Sequence, residues 1–127
     1  MDIREEIELA KKARLNAYSP YSNYKVGACL KCKNGNRYIG TNIENFGIQS
    51  ICAERSAFCA ALSNGEREFD YIVVVGGKEE LEKCLPCGYC RQFMNEFGDE
   101  NFRIYAVYGD VIEEYSISDL LPQGFKL

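Results

Sequence analysis

Three cysteines stand at intervals of three in the stretch CLPCGYCRQ, residues 84–92. Pro86 has no backbone N–H and disfavours helix in the residue before it, so the sequence predicts a helix that starts near Pro86. We expect Cys84 to lie outside this helix, and Cys87 and Cys90 to share one face of its first turn. The N-terminus of a helix stabilises negative charge and therefore favours thiolates, which bind metals.

Cys52 is the candidate for a third sulfur ligand, because it begins a second predicted helix, CAERSAFCAALSNG (52–65). Glu54 follows two residues later. Cys-x-Glu followed by Pro-Cys-x-x-Cys matches the three-cysteine form of the signature of zinc deaminases. Three protein ligands leave zinc one open position, as in catalytic sites, where a carboxylate that is not a ligand can move protons. Arg55 could offset the net negative charge of three thiolates by hydrogen bonding to a ligand sulfur.

Other interpretations of the cysteines stay open. The two C-x-x-C pairs, Cys29/Cys32 and Cys87/Cys90, could together form a four-cysteine structural zinc site, and the second pair alone could be a redox pair. A redox pair would leave Cys52 and Glu54 without a role. Cys29 and Cys32 lie on a strand-like run, where their odd spacing points them to opposite faces. Ordinary small apolar residues are expected at Cys29, Cys32, Cys59 and Cys84.

The elements that position these residues follow the order α-β-β-α-β-α-β-β-α. Residue periodicity and the turn signals predict helices at 2–17, 52–65 and 86–98, and strands at 26–32, 37–44, 71–77, 102–109 and 111–117. The first two strands are joined by KNGN, an Asn-Gly hairpin signal. Alternation of strands and helices predicts a three-layer α/β/α sandwich with some parallel pairing, formed by one domain over residues 1–127.

Composition excludes several classes of function. The 127 residues carry a formal net charge of −4 without a concentrated basic run, which disfavours binding to a nucleic-acid backbone. No apolar run is long enough for a bilayer, and the charged N-terminus lacks the apolar core of a signal peptide. An odd number of cysteines, seven, argues against a disulfide framework. We expect a soluble cytoplasmic protein whose chemistry proceeds without histidine, since the chain has none.

Five ordered motifs resemble the cytidine deaminase family, specifically its small homotetrameric type with three cysteine ligands. They are YSPYSNYKVGA (18–28), TNIEN (41–45), CAERSA (52–57), PCGYCRQ (86–92) and LLPQGF (120–125). The resemblance implies a five-stranded mixed sheet with flanking helices and one Zn²⁺ per subunit. It also implies hydrolytic deamination of cytidine and deoxycytidine in pyrimidine salvage, with ammonia leaving from C4. By position, Cys52, Cys87 and Cys90 match the zinc ligands and Glu54 matches the proton shuttle.

The same resemblance implies a set of substrate contacts. Asn42 and Glu44 match the family's ribose-binding pair, and strand alternation would place both side chains on one face. Tyr24 matches an aromatic residue near the substrate, and the backbone of Ala53 matches a contact to the pyrimidine. Phe125 matches a tail aromatic that stacks on the base bound by a neighbouring subunit, so the homotetramer would share its active sites. Apart from the resemblance, Asn-x-Glu would be an ordinary surface pair and Phe125 part of a frayed terminus.

One segment departs from the family pattern. NFGIQSI (45–51) is one residue shorter than usual and lacks the tyrosine that lines the site from another subunit. Blasticidin S deaminases have a still shorter segment, but they lack the acidic residue kept here as Glu44. A blasticidin S or modified-cytosine nucleoside deaminase of the same fold therefore stays open as an alternative. An alternative of another class is a non-catalytic zinc or nucleoside-binding protein, against which Glu54 argues.

Overall fold

Nine elements follow one another in the order that the sequence predicts. The computed structural model describes residues 1–127. The elements are α1 (Arg4–Arg14), β1 (Lys25–Cys32), β2 (Arg37–Thr41), α2 (Ala53–Ser63), β3 (Phe69–Gly77), α3 (Gly88–Phe97), β4 (Arg103–Tyr108), β5 (Val111–Ser116) and α4 (Ile117–Leu120). None of the helices is long and apolar enough to span a membrane.

The five strands form one mixed sheet in the order β2-β1-β3-β4-β5. β3 and β4 are parallel, and every other neighbouring pair is antiparallel. The parallel pair is joined through α3, because parallel strands need a crossover connection. The Asn-Gly hairpin between β1 and β2 is confirmed, with Gly35 at a φ of 96° in its turn.

Each face of the sheet buries its own core. Ile7 and Ala10 of α1 pack on one face against Val73 and Val75 of β3. The opposite face is covered by α2 and α3, whose Phe58, Met94 and neighbours pack against Ile72 and Val74. β3 is buried on both faces, as its continuous apolar run predicts. The predicted α/β/α sandwich with a mixed five-stranded sheet is confirmed.

The first helix and the second strand are shorter than the sequence predicts. The first helix ends at Arg14 rather than at residue 17, because the chain then turns and the Tyr18 N–H donates to the Asn42 carbonyl instead of continuing the helix. The second strand ends at Thr41 rather than at residue 44. Ile43 instead makes isolated bridges to Tyr18 and Ile51, so residues 42–44 leave the sheet and cross toward the start of α2.

Candidate active site

Cys52 is the N-cap of α2, with an extended backbone at φ −80° and ψ 155°. The first turn of this helix lies directly on β2 at Gly40. A Cβ at Gly40 would collide with the backbone of Ala53 and Ala57, so the lack of a side chain allows this close approach. Ala53 is fully buried and Glu54 is 3% exposed, so the start of α2 places a carboxyl group inside the protein next to a thiol.

Cys87 and Cys90 mark the start of α3. The sequence predicts both in the first helical turn, which is wrong for Cys87. Its backbone is extended, at φ −68° and ψ 169°, and it is the N-cap before Gly88. Its sulfur accepts a hydrogen bond from the Cys90 N–H, as a capping side chain does. Cys90 is fully buried in the first turn, and the Cys87 side chain is turned back toward it.

The two helix starts face each other and bring three sulfurs together. The Sγ atoms of Cys52, Cys87 and Cys90 all lie within 4.8 Å of one another, and those of Cys52 and Cys87 are 3.5 Å apart. Thiolates are soft ligands that suit zinc. The cluster is positioned to bind one metal ion, and each of its sulfurs stands at or within one turn of a helix N-terminus.

The other four cysteines lie outside this cluster, as the sequence predicts. Cys29 and Cys32 point into opposite cores of the sheet, so the four-cysteine structural site is excluded. Cys84 is half-buried against Gly76, and burial raises the pKa of its thiol to about 11. Cys59 is exposed, contrary to the expectation of a buried apolar residue, because it lies on the solvent side of α2.

Arg55 supplies positive charge to the sulfur cluster. Its Nη2 donates to the Cys52 Sγ at 3.4 Å and to the Ser50 carbonyl at 3.2 Å. Its guanidinium carbon lies 4.0 Å from the centre of the Tyr89 ring, within the range of a cation–π interaction. Its Nε is buried without a hydrogen-bond partner. The ring, the carbonyl and the sulfur together hold the guanidinium beside the cluster.

The thiols of the cluster differ in acidity. A hydrogen bond from Cys90 lowers the pKa of Cys52 to about 5, with help from Arg55 and against the effect of burial. The same hydrogen bond and burial raise the pKa of Cys90. The surroundings therefore favour the thiolate at Cys52 and the protonated thiol at Cys90. A bound metal ion would displace that proton, since only the thiolate is a ligand.

Glu54 is a buried carboxyl group close to the cluster. Burial, helped by the charge of Cys52 and opposed by a backbone hydrogen bond and by Arg55, raises its pKa to about 7. The charge of Glu54 in turn raises the pKa of both Cys84 and Cys90. Glu54, Cys52, Cys84 and Cys90 therefore lie close to one another. A carboxyl group here can hold either protonation state near neutral pH.

Asn42 and Glu44 lie beyond the end of β2 and not on the strand itself, but their side chains turn to the same side, as the alternation predicts. Both bind the loop of residues 18–24. The Asn42 Oδ1 accepts from the Val26 N–H at 2.9 Å, and its Nδ2 donates to the Tyr24 carbonyl at 2.8 Å. Glu44 accepts hydrogen bonds from the N–H groups of Tyr21 and Ser22 and from the Ser22 hydroxyl.

Residues 42–44 are connected to the chain just before the sulfur cluster by one β-bridge. Ile43 exchanges two backbone hydrogen bonds with Ile51, the residue before Cys52. Tyr24 lies at the other side of this region, where its ring is in contact distance of the position that a Cβ on Gly76 would occupy. Burial raises the pKa of the Tyr24 hydroxyl.

Phe125 lies in a groove between α3 and the C-terminal tail. The groove has a volume of about 790 Å³, and its aromatic walls are Tyr89, Phe93, Phe97 and Phe125. None of the three clustered cysteines lines this groove, and it shares only Tyr89 with the surroundings of Arg55. The Phe125 side chain is 67% exposed, while its carbonyl accepts hydrogen bonds from Gln92 and Asn95.

The loop of residues 45–51 projects into solvent. Phe46 is 83% exposed and Ile48 65% exposed. Phe46, Gly47 and Gln49 all have positive φ, so the loop turns tightly. Sequence reasoning did not identify Tyr89, Gln92 or Asn95. The only signal for Tyr89 was its place between Cys87 and Cys90, and nothing in the sequence linked Gln92 or Asn95 to the tail.

Known proteins are similar to this chain in both sequence and fold. Residues 2–106 match the family model described as the cytidine and deoxycytidylate deaminase zinc-binding region. A cytidine deaminase of Sporosarcina psychrophila is 43% identical over 99% of this chain and 93% of its own, and one of Mycoplasma genitalium is 38% identical over 87% and 85%. The crystal structure of cytidine deaminase from Burkholderia pseudomallei superposes with a TM-score of 0.89 at 42% identity, covering 98% of this chain and 100% of that one.

A second solved structure extends the agreement. Cytidine deaminase from Mycobacterium tuberculosis superposes with a TM-score of 0.85 at 32% identity, covering 100% of this chain and 99% of that one. The matched region includes both helix starts that carry the sulfur cluster. The chain belongs to the cytidine and deoxycytidylate deaminase zinc-binding family.

Proposed function

We propose that this protein is a zinc-dependent hydrolase of pyrimidine salvage that converts cytidine and deoxycytidine to uridine and deoxyuridine with release of ammonia. The observation that carries the proposal is a buried carboxyl group, Glu54, beside three clustered cysteine sulfurs. A purely structural zinc site uses four protein ligands and needs no free carboxylate. Relatives that match most of the chain are cytidine deaminases.

Cys52, Cys87 and Cys90 would hold the zinc ion. The donor set fits the metal, because three thiolates leave a fourth coordination position for water. A zinc ion in such a site lowers the pKa of water, so that a nucleophile is available near neutral pH. Arg55 would balance part of the negative charge of the thiolates through its hydrogen bond to the Cys52 sulfur.

Glu54 would move the protons of the reaction. Its carboxylate accepts a proton from the attacking water and delivers it to the ring nitrogen beside C4. Glu54 would then take the proton of the hydroxyl added at C4 and pass it to the amino group, so that the C4–N bond breaks, ammonia leaves and a carbonyl remains. One water is consumed for each ammonia released. The buried position of Glu54 keeps its carboxyl group away from bulk solvent.

The substrate would lie between the cluster and the loop of residues 18–24. We assign sugar binding to Asn42 and Glu44, contact with the pyrimidine to the backbone of Ala53, and an aromatic wall to Tyr24. Both polar side chains already bind backbone of that loop. The second carboxylate oxygen of Glu44 accepts only from the Ser22 hydroxyl and has a further lone pair for a sugar hydroxyl, whereas Asn42 acts mainly by fixing the loop.

We also propose a homotetramer whose subunits share active sites. Exposed apolar side chains of the loop at 45–51 and of the tail, including Phe46, Ile48 and Phe125, supply surface for contacts between subunits. The Phe125 ring would stack on the base bound by a neighbouring subunit. The cytoplasm is the expected location, since all seven cysteines are free thiols.

One observation supports an alternative substrate. The loop at 45–51 lacks the family's tyrosine, which leaves room for a blasticidin S or modified-cytosine nucleoside deaminase. Glu44 favours cytidine and deoxycytidine over blasticidin S, because a carboxylate at this position can bind a sugar hydroxyl. A non-catalytic zinc or nucleoside-binding protein would share the cluster but would show no turnover.

The test is ultraviolet-monitored deamination of cytidine, deoxycytidine and blasticidin S by the purified zinc protein. Glu54→Gln is the blank, because it keeps the shape of the side chain and removes its ability to accept a proton. Turnover of both nucleosides, absent in the blank, supports the salvage enzyme. Turnover of blasticidin S alone would move the assignment to that substrate. If the zinc-bound protein deaminates none of the three substrates, a binding protein would be favoured.

A further inference from the structure

We propose that Gln92 and Asn95 are positioning residues that clamp the C-terminal tail, so that the Phe125 ring is presented to a neighbouring subunit. The Gln92 Nε2 lies 2.8 Å and the Asn95 Nδ2 2.9 Å from the carbonyl oxygen of Phe125. Both donors converge on one acceptor. The inference deepens the proposed function and rests on its assignment of Phe125 to a shared active site.

The geometry of α3 makes the clamp possible. Gln92 and Asn95 are three residues apart and therefore lie on one face of the helix. A carbonyl oxygen has two lone pairs and can accept both amide hydrogens at once. Two bonds to one oxygen restrict the carbonyl more than either bond alone. Because Cys90 lies in the first turn of the same helix, the clamp connects the tail to the element that carries a metal ligand.

The path of the tail into the clamp is also restricted. A Cβ at Gly124 would lie 2.6 Å from the Leu121 Cδ2 and 2.9 Å from the Asn95 Nδ2, so the glycine backbone packs closely against both side chains. Gln123 has a φ of 57°, a left-handed conformation that a glutamine adopts only where its surroundings enforce it. The segment from Leu121 to Phe125 thus turns tightly over α3.

The contrast within Phe125 separates a clamp from a frayed terminus. Its backbone carbonyl is held by two hydrogen bonds, although the residue as a whole is 67% exposed. A tail that only completed the core would bury the ring. Fixing the backbone in advance lowers the entropy lost when the ring stacks on a ligand. Neither Glu54 nor the three sulfurs lines the groove of the tail or bonds to Phe125, so we expect the clamp to affect substrate binding and not the chemical step.

The experiment compares the full-length zinc protein with the double variant Gln92→Met and Asn95→Leu, which keeps similar side-chain volumes and removes both donors. We expect KM for cytidine to rise about tenfold, as for the loss of two neutral hydrogen bonds, with kcat changed less than twofold. Zinc content should be unchanged. Glu96→Gln is the matched control, because Glu96 is exposed and lines the same groove, whereas only Gln92 and Asn95 donate to the Phe125 carbonyl.

Two further measurements separate positioning from a structural role. Phe125→Ala should raise KM to a similar extent, and adding it to the double variant should cause no further increase. Carboxypeptidase trimming, followed by mass spectrometry, should stop before Phe125 in the unmodified protein and pass it in the double variant. The two single variants, Gln92→Met and Asn95→Leu, repeat both measurements if the double variant does not fold.

The following results would contradict the clamp. A released tail with unchanged KM would overturn the positioning role, and trimming that passes Phe125 equally in all proteins would show that no clamp exists in solution. A lower kcat with unchanged KM would also contradict it. If the unmodified protein deaminates no nucleoside, the proposed function fails, and the trimming result still decides whether the clamp exists.

Discussion

The guanidinium of Arg55 stacks on the ring of Tyr89, with its central carbon 4.0 Å from the ring centre. Tyr89 stands between Cys87 and Cys90 in the chain, and Arg55 donates to the sulfur of Cys52. Tyr89 therefore contacts the guanidinium that donates a hydrogen bond to the Cys52 sulfur. The contact joins the two helix starts from outside the cluster, on the solvent side.

Removing this ring should weaken zinc binding. Tyr89→Leu removes a cation–π contact worth about 1 kcal/mol, so we expect zinc affinity to fall roughly fivefold. Competition with a chromophoric chelator measures it. Tyr89→Phe keeps the ring and should bind zinc like the unmodified protein. Equal weakening in both variants would place the effect on the hydroxyl and contradict the stacking argument.

Glu54→Gln should leave zinc content unchanged and lower kcat at least about a hundredfold, because the amide cannot accept the proton of water. Metal analysis and steady-state deamination on the same sample give both values. Loss of metal together with retained turnover would reverse the roles assigned to Glu54 and to the sulfurs.

Cys84→Ala should bind one zinc per subunit, whereas Cys90→Ala should lose the metal. Cys84 is nearest to the cluster in sequence, but its sulfur packs against Gly76 and is not part of the three-sulfur group. Metal content after dialysis against a weak chelator tests the pair. An apoprotein from Cys84→Ala would show that the ligand set is wrong.

Asn42→Asp should be at least as harmful as Asn42→Ala. One side-chain oxygen of aspartate can still accept from the Val26 N–H, but the other would face the Tyr24 carbonyl that the amide now donates to. We expect each variant to lose about 1–3 kcal/mol of stability and to show a raised KM, because the loop of residues 18–24 is released. Urea unfolding and KM for cytidine measure the two effects. Unchanged values for Asn42→Asp would contradict the bridging role.

Glu6 should stabilise the protein in a pH-dependent way. It is 1% exposed and accepts from the Tyr71 hydroxyl at 2.7 Å and from the Arg37 guanidinium. Burial alone would raise its pKa, but the bonds from Tyr71 and Arg37 lower it below its ordinary value of 4.5. A lowered pKa contributes stability above the unfolded value, and this contribution is lost as the pH falls through the folded value.

Glu6→Gln should therefore lower the free energy of unfolding by about 3 kcal/mol at pH 7, and the difference from the unmodified protein should shrink below about pH 4. Urea unfolding at both pH values tests this. Glu5→Gln is the control, because Glu5 binds the same arginine but its side chain is 72% exposed, and its loss should cost less than about 1 kcal/mol. A constant difference at both pH values would contradict the ionic role of Glu6.

Local signals in the chain were sufficient for the order of the elements and for the ligand set. The Asn-Gly turn, the apolar run of β3 and Pro86 each act within a few residues, so their structural meaning can be derived without the fold. Cys52-x-Glu54 and Cys87-x-x-Cys90 are each local as well, but the two motifs are 35 residues apart and were joined only by their match to the zinc deaminase signature. The extended N-cap of Cys87 was mispredicted, because capping depends on where the sulfur finds a hydrogen-bond partner.

The sequence by itself determined which residue types are available for zinc and proton transfer, and that two helices begin at them. Only the tertiary structure decided which surfaces meet: Arg55 against Tyr89, Asn42 against the loop of residues 18–24, and Phe125 against Gln92 and Asn95. These partners lie up to 34 residues apart. Their contacts depend on how the helices pack on the sheet, and no pattern within a single element carries that information.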